Sequence, residues 1–167
     1  MNSLTVRRAR VEDADPIREV FESVAGERLP YFRFQLPDAP EPFRDGLRQD
    51  LANPRANVFV AEQDGIVVGV GFCVSRGTFV SEPRIMVHRE HRRAGIGRRL
   101  MHALVEWAKG EERLDWLHAT ALETNEGSLK LCREFGFEED GVREPSFEEV
   151  DGNRVRVMHL SLDVQED

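Results

Sequence analysis

The stretch from Ile85 to Leu104, IMVHREHRRAGIGRRLMHAL, constrains the fold of this chain more than any other. It opens on an apolar strand end, Ile85-Met86-Val87, passes through a short basic loop and reaches Gly95-Ile96-Gly97. Ile96, Leu100, Ala103, Leu104, Trp107 and Ala108 then recur at helical spacing, and Gly110 closes the run. A strand that feeds through glycines into a helix start leaves backbone N–H groups unpaired, and the helix dipole favours negative charge there. Such a turn can cradle a phosphate. Arg92, Arg93, Arg98 and Arg99 add positive charge beside it. It is not a Walker A loop, because G-x-x-x-x-G-K-[ST] occurs nowhere. It is not a dinucleotide fingerprint either, since Gly95-x-Gly97 lacks the third glycine.

The rest of the chain supplies the elements around that stretch. Leu4 to Arg7 reads as a strand. Ile17, Val20, Phe21 and Val24 mark a helix that opens near Asp13 or Asp15 and stops at Gly26. Leu29 to Pro42 carries four prolines with Tyr31, Phe32 and Phe34 between them, which predicts an irregular aromatic loop, packed on the body or walling a pocket. Phe43, Leu47 and Leu51 mark a second helix ending near Asn53-Pro54. Strands follow at 57–61, 66–74 and 80–87, the first two joined by Asp64-Gly65, a hairpin signal. Pro83 must fall where no ladder N–H is needed, or at a bulge. After the central helix come a strand at 116–122, a short helix with Ser128, Leu131, Cys132 and Phe135 inward, and strands at 137–149 and 153–164 joined by Asp151-Gly152. The order is β α α β β β α β α β β, an α/β or α+β domain with a mixed sheet and a parallel βαβ unit at 80–122.

Composition limits the function classes. At 167 residues the chain suits one domain, spanning 1–167. Its formal net charge of -8 argues against nucleic acid as a partner. Two cysteines, Cys73 and Cys132, are too few for a disulfide framework, and reduced thiols are the plainer reading. No signal-peptide pattern or bilayer-length apolar run is visible, so a cytoplasmic protein is expected, away from any membrane. His88-Arg89-Glu90-His91 does not fit H-E-x-x-H, and no metal is expected.

A second motif lies about thirty residues further on. Asn125-Glu126-Gly127-Ser128-Leu129-Lys130-Leu131-Cys132-Arg133-Glu134-Phe135-Gly136-Phe137 starts between a strand and a helix. Asn125 there is either an N-cap or an amide that bonds an extended ligand. Together the two stretches resemble the GNAT family, the Gcn5-related N-acetyltransferases. Val87 through Gly97 is similar to the family's V-x-P-x-x-R-G-x-G-x-G, and Asn125 through Phe137 to its N-x-x-A-x-x-L-Y-x-x-x-G-F. The element order agrees over nearly the whole chain.

The resemblance implies a GNAT fold: a mixed, mostly antiparallel sheet of about seven strands with four helices, split at the acyl-CoA site. It implies acetyl-CoA as cosubstrate. Backbone groups of Ile85, Met86 and Val87 would pair with the pantetheine arm. N–H groups from Arg93 through Ala94, Gly95, Ile96 and Gly97 to Arg98, with Arg92 alongside, would take the pyrophosphate. An N–H near Val87 would polarise the thioester carbonyl, and Asn125 would contact the pantetheine side. Two positions depart from the family pattern. Its usual proline and glycine are Arg89 and Arg93, and its usual tyrosine, often the general acid for the leaving thiolate, is Cys132. Cys132 is therefore either a proton donor or a small apolar filler. For the base, Glu82 comes first and His118 second; their bland alternatives are an ion pair with Arg84 and a packed core histidine.

The acceptor stays open among three readings. One is a small primary amine such as an amino acid, since the chain looks closest to the amino-acid and phosphinothricin-type N-acyltransferases; Tyr31, Phe32 and Phe34 would then line the substrate pocket. The second is a protein N-terminus or lysine. The third is a CoA-binding sensor or toxin-neutralising module with little turnover. A homodimer through the closing hairpin is compatible with the family.

Overall fold

The computed structural model describes residues 3–27, 29, 36–75, 77–141 and 144–166. Within them four α-helices flank one eight-stranded sheet. The strands are β1 (Leu4–Arg8), β2 (Asn57–Gln63), β3 (Ile66–Ser75), β4 (Val80–Val87), β5 (Trp116–Leu122), β6 (Glu138–Glu139), β7 (Ser146–Val150) and β8 (Asn153–Asp163). The helices are α1 (Ala14–Ala25), α2 (Pro40–Ala52), α3 (Ile96–Lys109) and α4 (Glu126–Glu134). Sheet order is β1-β2-β3-β4-β5-β8-β6, with β7 also on β8. Only β4 and β5 run parallel, as the βαβ reading requires.

Both hairpin signals hold for a backbone reason. Asp64 and Gly65 take φ of 50° and 84°, and Asp151 and Gly152 take 49° and 78°, the left-handed pair of a tight two-residue turn. Three expectations need correction. Pro40 and Pro42 do not prolong the irregular segment; a proline opens α2, where its missing N–H costs nothing. Asp13 sits at the start of α1, but its carboxylate makes no cap bond there. It accepts instead from both terminal nitrogens of Arg7 at 2.8 Å and from the Arg10 N–H at 2.7 Å. The strand expected at 137–149 is two short ones, β6 and β7, both on β8, with Gly141 and Pro145 in the interval between them.

The helices lie on opposite faces. Even-numbered side chains of β4 share a face with Val58, Val60, Val70 and Phe72, against Ile17, Val20 and Phe21 of α1 and Leu47 of α2. Odd-numbered ones, with Phe59 and Ala61, face Leu100 and Leu104 of α3. Both leucines are fully buried, and truncating either to alanine costs about 2–5 kcal/mol. Gly69 and Gly71 let α3 lie close. A Cβ on Gly69 would stand 2.9 Å from Ile96 Cγ2, and one on Gly71 3.2 Å from the Leu100 Cβ. That close seat fixes where α3 begins, beside the end of β4.

Candidate active site

The central feature is a split in the sheet. β4 and β5 pair only at Val80–Trp116 and Ser81–Leu117, though β4 continues to Val87 and β5 to Leu122. Register explains why. His88 donates its N–H to Val68 O at 2.9 Å, so even-numbered residues of β4 bond to β3 and odd-numbered ones point the other way. The Phe79 carbonyl accordingly accepts from Asp115 and Trp116 on the β5 side. The next rung after Ser81 would need the N–H of residue 83, and residue 83 is proline. Pro83 pairs with Cys73 without a bulge, its missing donor turned into the split.

Past Pro83, the backbone groups of Ile85 and Val87 face the opening. Arg92 Nε donates to Val87 O at 3.4 Å. Met86 is a correction: it pairs with Val70, its backbone groups belong to the β3 ladder, and its side chain packs on the α1 side. It can present no backbone group to a ligand in the split.

The loop after β4 leads through Gly95 into α3. Gly95 precedes α3 with φ of 75° and no side-chain cap. The first amide taken up by the helix is Arg99, which donates to Gly95 O at 3.2 Å. No N–H from Arg92 to Arg98, Ala94 to Gly97 included, donates to an acceptor among the described residues. A Cβ on Gly95 would meet nothing within 4 Å, so the space beside it is open. Arg93 holds φ of 62° without being glycine, a strained position costing about 1 kcal/mol. Open donors, a helix dipole and free space beside Gly95 fit a pyrophosphate.

Two of the four guanidinium groups, by contrast, are held by carboxylates. Arg92 pairs with Glu27, just past α1, through both terminal nitrogens. Arg98 pairs with Glu134 at 2.8 Å, and Arg99 donates to Leu4 O at 2.6 Å. Val6, Arg98, Arg99, His102, Ala103 and Phe135 line an adjoining groove of about 500 Å³. Sequence reasoning missed Glu27, because nothing local ties it to a loop 65 residues away.

Glu82 and His118 come together. Ser81 is opposite Leu117, so Glu82 lies beside His118 where the ladder ends, both on the α1 face. Each is nearly buried, at 8 % and 7 % exposure. Arg84 pairs with Glu82 at 3.1 Å, so the ion pair expected as the bland alternative is present. Cys132 is buried in the apolar cluster with Leu117, Ala119 and Leu129 on the other face. Burial pushes its thiol up to about 11, and it is protonated at neutral pH. On α4 the buried positions are Leu129 and Cys132, with Ser128 only half-buried. Asn125 is the N-cap: its Oδ1 accepts from the Ser128 N–H at 3.3 Å. Tyr31, Phe32 and Phe34 lie outside the described residues. Among those described, no cluster of His, Cys, Asp and Glu could hold a metal, and no helix is long and apolar enough to cross a membrane.

Comparison with known proteins agrees with this arrangement. Residues 21–137 match the model of the Acetyltransferase (GNAT) family. An N-alpha-acetyltransferase of Sulfurisphaera tokodaii is 28 % identical over 149 residues, 80 % of each chain. A Salmonella typhimurium acetyltransferase solved with acetyl-CoA superposes with a TM-score of 0.83 at 20 % identity, over 99 % of this chain and 96 % of that one. A ribosomal-protein-alanine N-acetyltransferase from Brucella melitensis superposes at 0.80 with 25 % identity, over 95 % and 99 %.

Proposed function

The chain belongs to the GNAT family of acetyltransferases and is an N-acetyltransferase, and from that premise we propose that it moves the acetyl group of acetyl-CoA to a primary amine of a small molecule such as an amino acid. The observation that carries the cosubstrate end is the β4 edge beyond Pro83, which runs without a sheet partner into a cradle of open amides. Backbone groups of Ile85 and Val87 pair with the pantetheine arm as an added strand would. Amides from Arg93 to Arg98 receive the pyrophosphate, and the groove lined by Arg98, Arg99 and His102 takes the adenosine end. The Val87 N–H faces the split and stabilises the oxyanion that forms as the amine attacks the thioester. Asn125 holds the start of α4 at the far wall.

At the acceptor end Glu82 takes the amine proton, directly or through one water. Its burial and its place at the end of the paired ladder suit that role. His118 is placed beside it. Cys132 sits as an apolar filler where the family has tyrosine, and water protonates the leaving thiolate. The connection between α1 and α2 is pinned at both ends, by Arg92–Glu27 and by Arg18 donating to Pro37 O at 3.0 Å. Tyr31, Phe32 and Phe34 fall between those two anchors in the sequence and are the residues we assign to the acceptor pocket.

A second reading has a specific observation behind it: the Sulfurisphaera protein is named an N-alpha-acetyltransferase and the Brucella protein a ribosomal-protein-alanine N-acetyltransferase. The deciding experiment is thiol release from acetyl-CoA with free amino acids and simple amines in one arm and N-terminal peptides in the other. Turnover with free amines supports the proposal. Turnover confined to peptides transfers it to the second reading.

A further inference from the structure

One part-buried polar array plays no part in the steps above. His118 Nδ1 lies 3.1 Å from Ser161 Oγ, His118 Nε2 lies 3.3 Å from His159 Nδ1, and His159 Nε2 lies 2.8 Å from Ser146 Oγ. The two rings stack at 5.5 Å, inclined by 21°. The register explains the alignment. His118 faces Ser161 across the β5–β8 ladder, His159 is two residues back on the same face, and Ser146 stands opposite Val157 on β7. The array thus crosses three strands on the face that carries Glu82. His118 in its middle is nearly buried, while Ser161, His159 and Ser146 are half-buried.

Resting on the acetyltransferase reading above, we propose that Ser161, His118, His159 and Ser146 form a proton relay that carries the acceptor amine's surplus proton from the Glu82 side to the surface. The array has two self-consistent proton arrangements. In one, the Ser161 hydroxyl donates to His118 Nδ1, His118 Nε2–H donates to His159 Nδ1, and His159 Nε2–H donates to Ser146 Oγ. In the other every bond is reversed. A proton arriving at Ser161 converts the first into the second and leaves from Ser146. No ring need hold a full charge for long, which suits a pair whose His118 ring is nearly buried.

The balance of the reaction leaves one proton to be passed to solvent. A primary amine reaches the enzyme largely as R–NH3+ and must lose one proton to attack. The N–C bond then forms as the C–S bond breaks. The second proton lost from nitrogen ends on the CoA sulfur, and the first goes to solvent. Glu82 accepts the first proton, and water passes it to Ser161. Among the described residues, the charged groups around the array are Glu82 and Arg84 on β4, Glu138 on β6, Asp140 after it, Glu148 on β7 and Asp163 on β8. Asp140 donates its own N–H to the His159 carbonyl at 2.8 Å.

The test compares His159→Gln and Ser146→Ala with wild type, each first checked for native melting. With the amine acceptor in excess, kcat is expected to fall ~10–100-fold in His159→Gln and less in Ser146→Ala. The KM for acetyl-CoA stays unchanged, and added imidazole restores rate to His159→Ala. Wild-type kcat in both folded variants across pH 6–9 overturns the relay. Should His159→Gln not fold, Ser146→Ala, at the half-buried end, decides alone. Nitrogen-15 spectra of the imidazoles read the array without turnover. Two rings that titrate as a coupled pair support it, and two that titrate independently overturn it. Absence of amine-dependent thiol release by wild type sinks the acetyltransferase reading instead, leaving the spectra to judge the array.

Discussion

Gly69→Ala is the sharpest probe of how the sheet positions the cradle. The new Cβ would lie 2.9 Å from Ile96 Cγ2, 3.1 Å from Leu100 Cδ1 and 3.3 Å from the Met86 carbonyl oxygen. Carbon atoms in contact prefer roughly 3.5–4.0 Å, so α3 must retreat by several tenths of an ångström. The carbonyl belongs to a paired strand and cannot yield. Overpacking of this kind costs about 1–3 kcal/mol. For a chain of this size that lowers the melting temperature by roughly 3–10 °C. Ile96 is the first residue of α3, so the same retreat moves the open amides, and acetyl-CoA affinity falls about tenfold or more. Ile96→Leu removes the offending branch methyl, so the double variant should recover part of both losses, a coupling of at least about 0.5 kcal/mol. Melting followed by circular dichroism and acetyl-CoA binding by calorimetry give both numbers. A Gly69→Ala variant with wild-type melting and affinity would refute the close seat of α3.

Other positions give further checks. Gly95→Glu puts a carboxylate into the cradle; the variant should still melt cooperatively, about 1 kcal/mol weaker from its left-handed backbone, and lose the thermal shift given by acetyl-CoA. Cys132 has its folded thiol raised to about 11 from 9.0, so its contribution is intact below pH 9 and lost as pH rises toward 11. Alkaline denaturation should accordingly be about 1–3 kcal/mol milder in Cys132→Ala at pH 11, as read by urea melts. The same variant should keep the wild-type kcat; a fall beyond about tenfold would make the thiol a proton donor. Asp13 has its carboxyl held below the usual range chiefly by its hydrogen bonds with Arg7. Its stabilisation is complete above about pH 4 and is lost as pH falls further, so Asp13→Asn should lower stability at pH 7 and flatten the acid limb.

The central elements were legible because each carried a local signal. Ile85–Val87 is apolar, Gly95 permits a left-handed turn, and Ile96 to Ala108 keeps a helical period. The two Asp-Gly turns read equally well. What local pattern could not give was pairing. Glu138 and Glu139 have no strand-like composition and are a strand only because β8 lies alongside. The attachment of Glu27 to Arg92 and the array from His118 to Ser146 depend on contacts between distant parts of the chain. His118 could be singled out as a strand histidine, but nothing near it pointed to His159. Met86 was misjudged because three consecutive residues looked equivalent, whereas a strand turns alternate backbone groups to opposite neighbours.

Pro83 has a consequence for competition. β5 is tethered beside β4, and a tethered strand presents its groups at an effective concentration in the millimolar range or above. Any residue with an N–H at position 83 would let the next rung form and draw His118 and the residues after it against β4. The enzyme's own backbone would then occupy the edge of Ile85 and Val87 that we propose for the pantetheine arm, a built-in rival to acetyl-CoA. An imino acid at one rung disarms that rival covalently, whatever the temperature, the pH or the supply of cosubstrate.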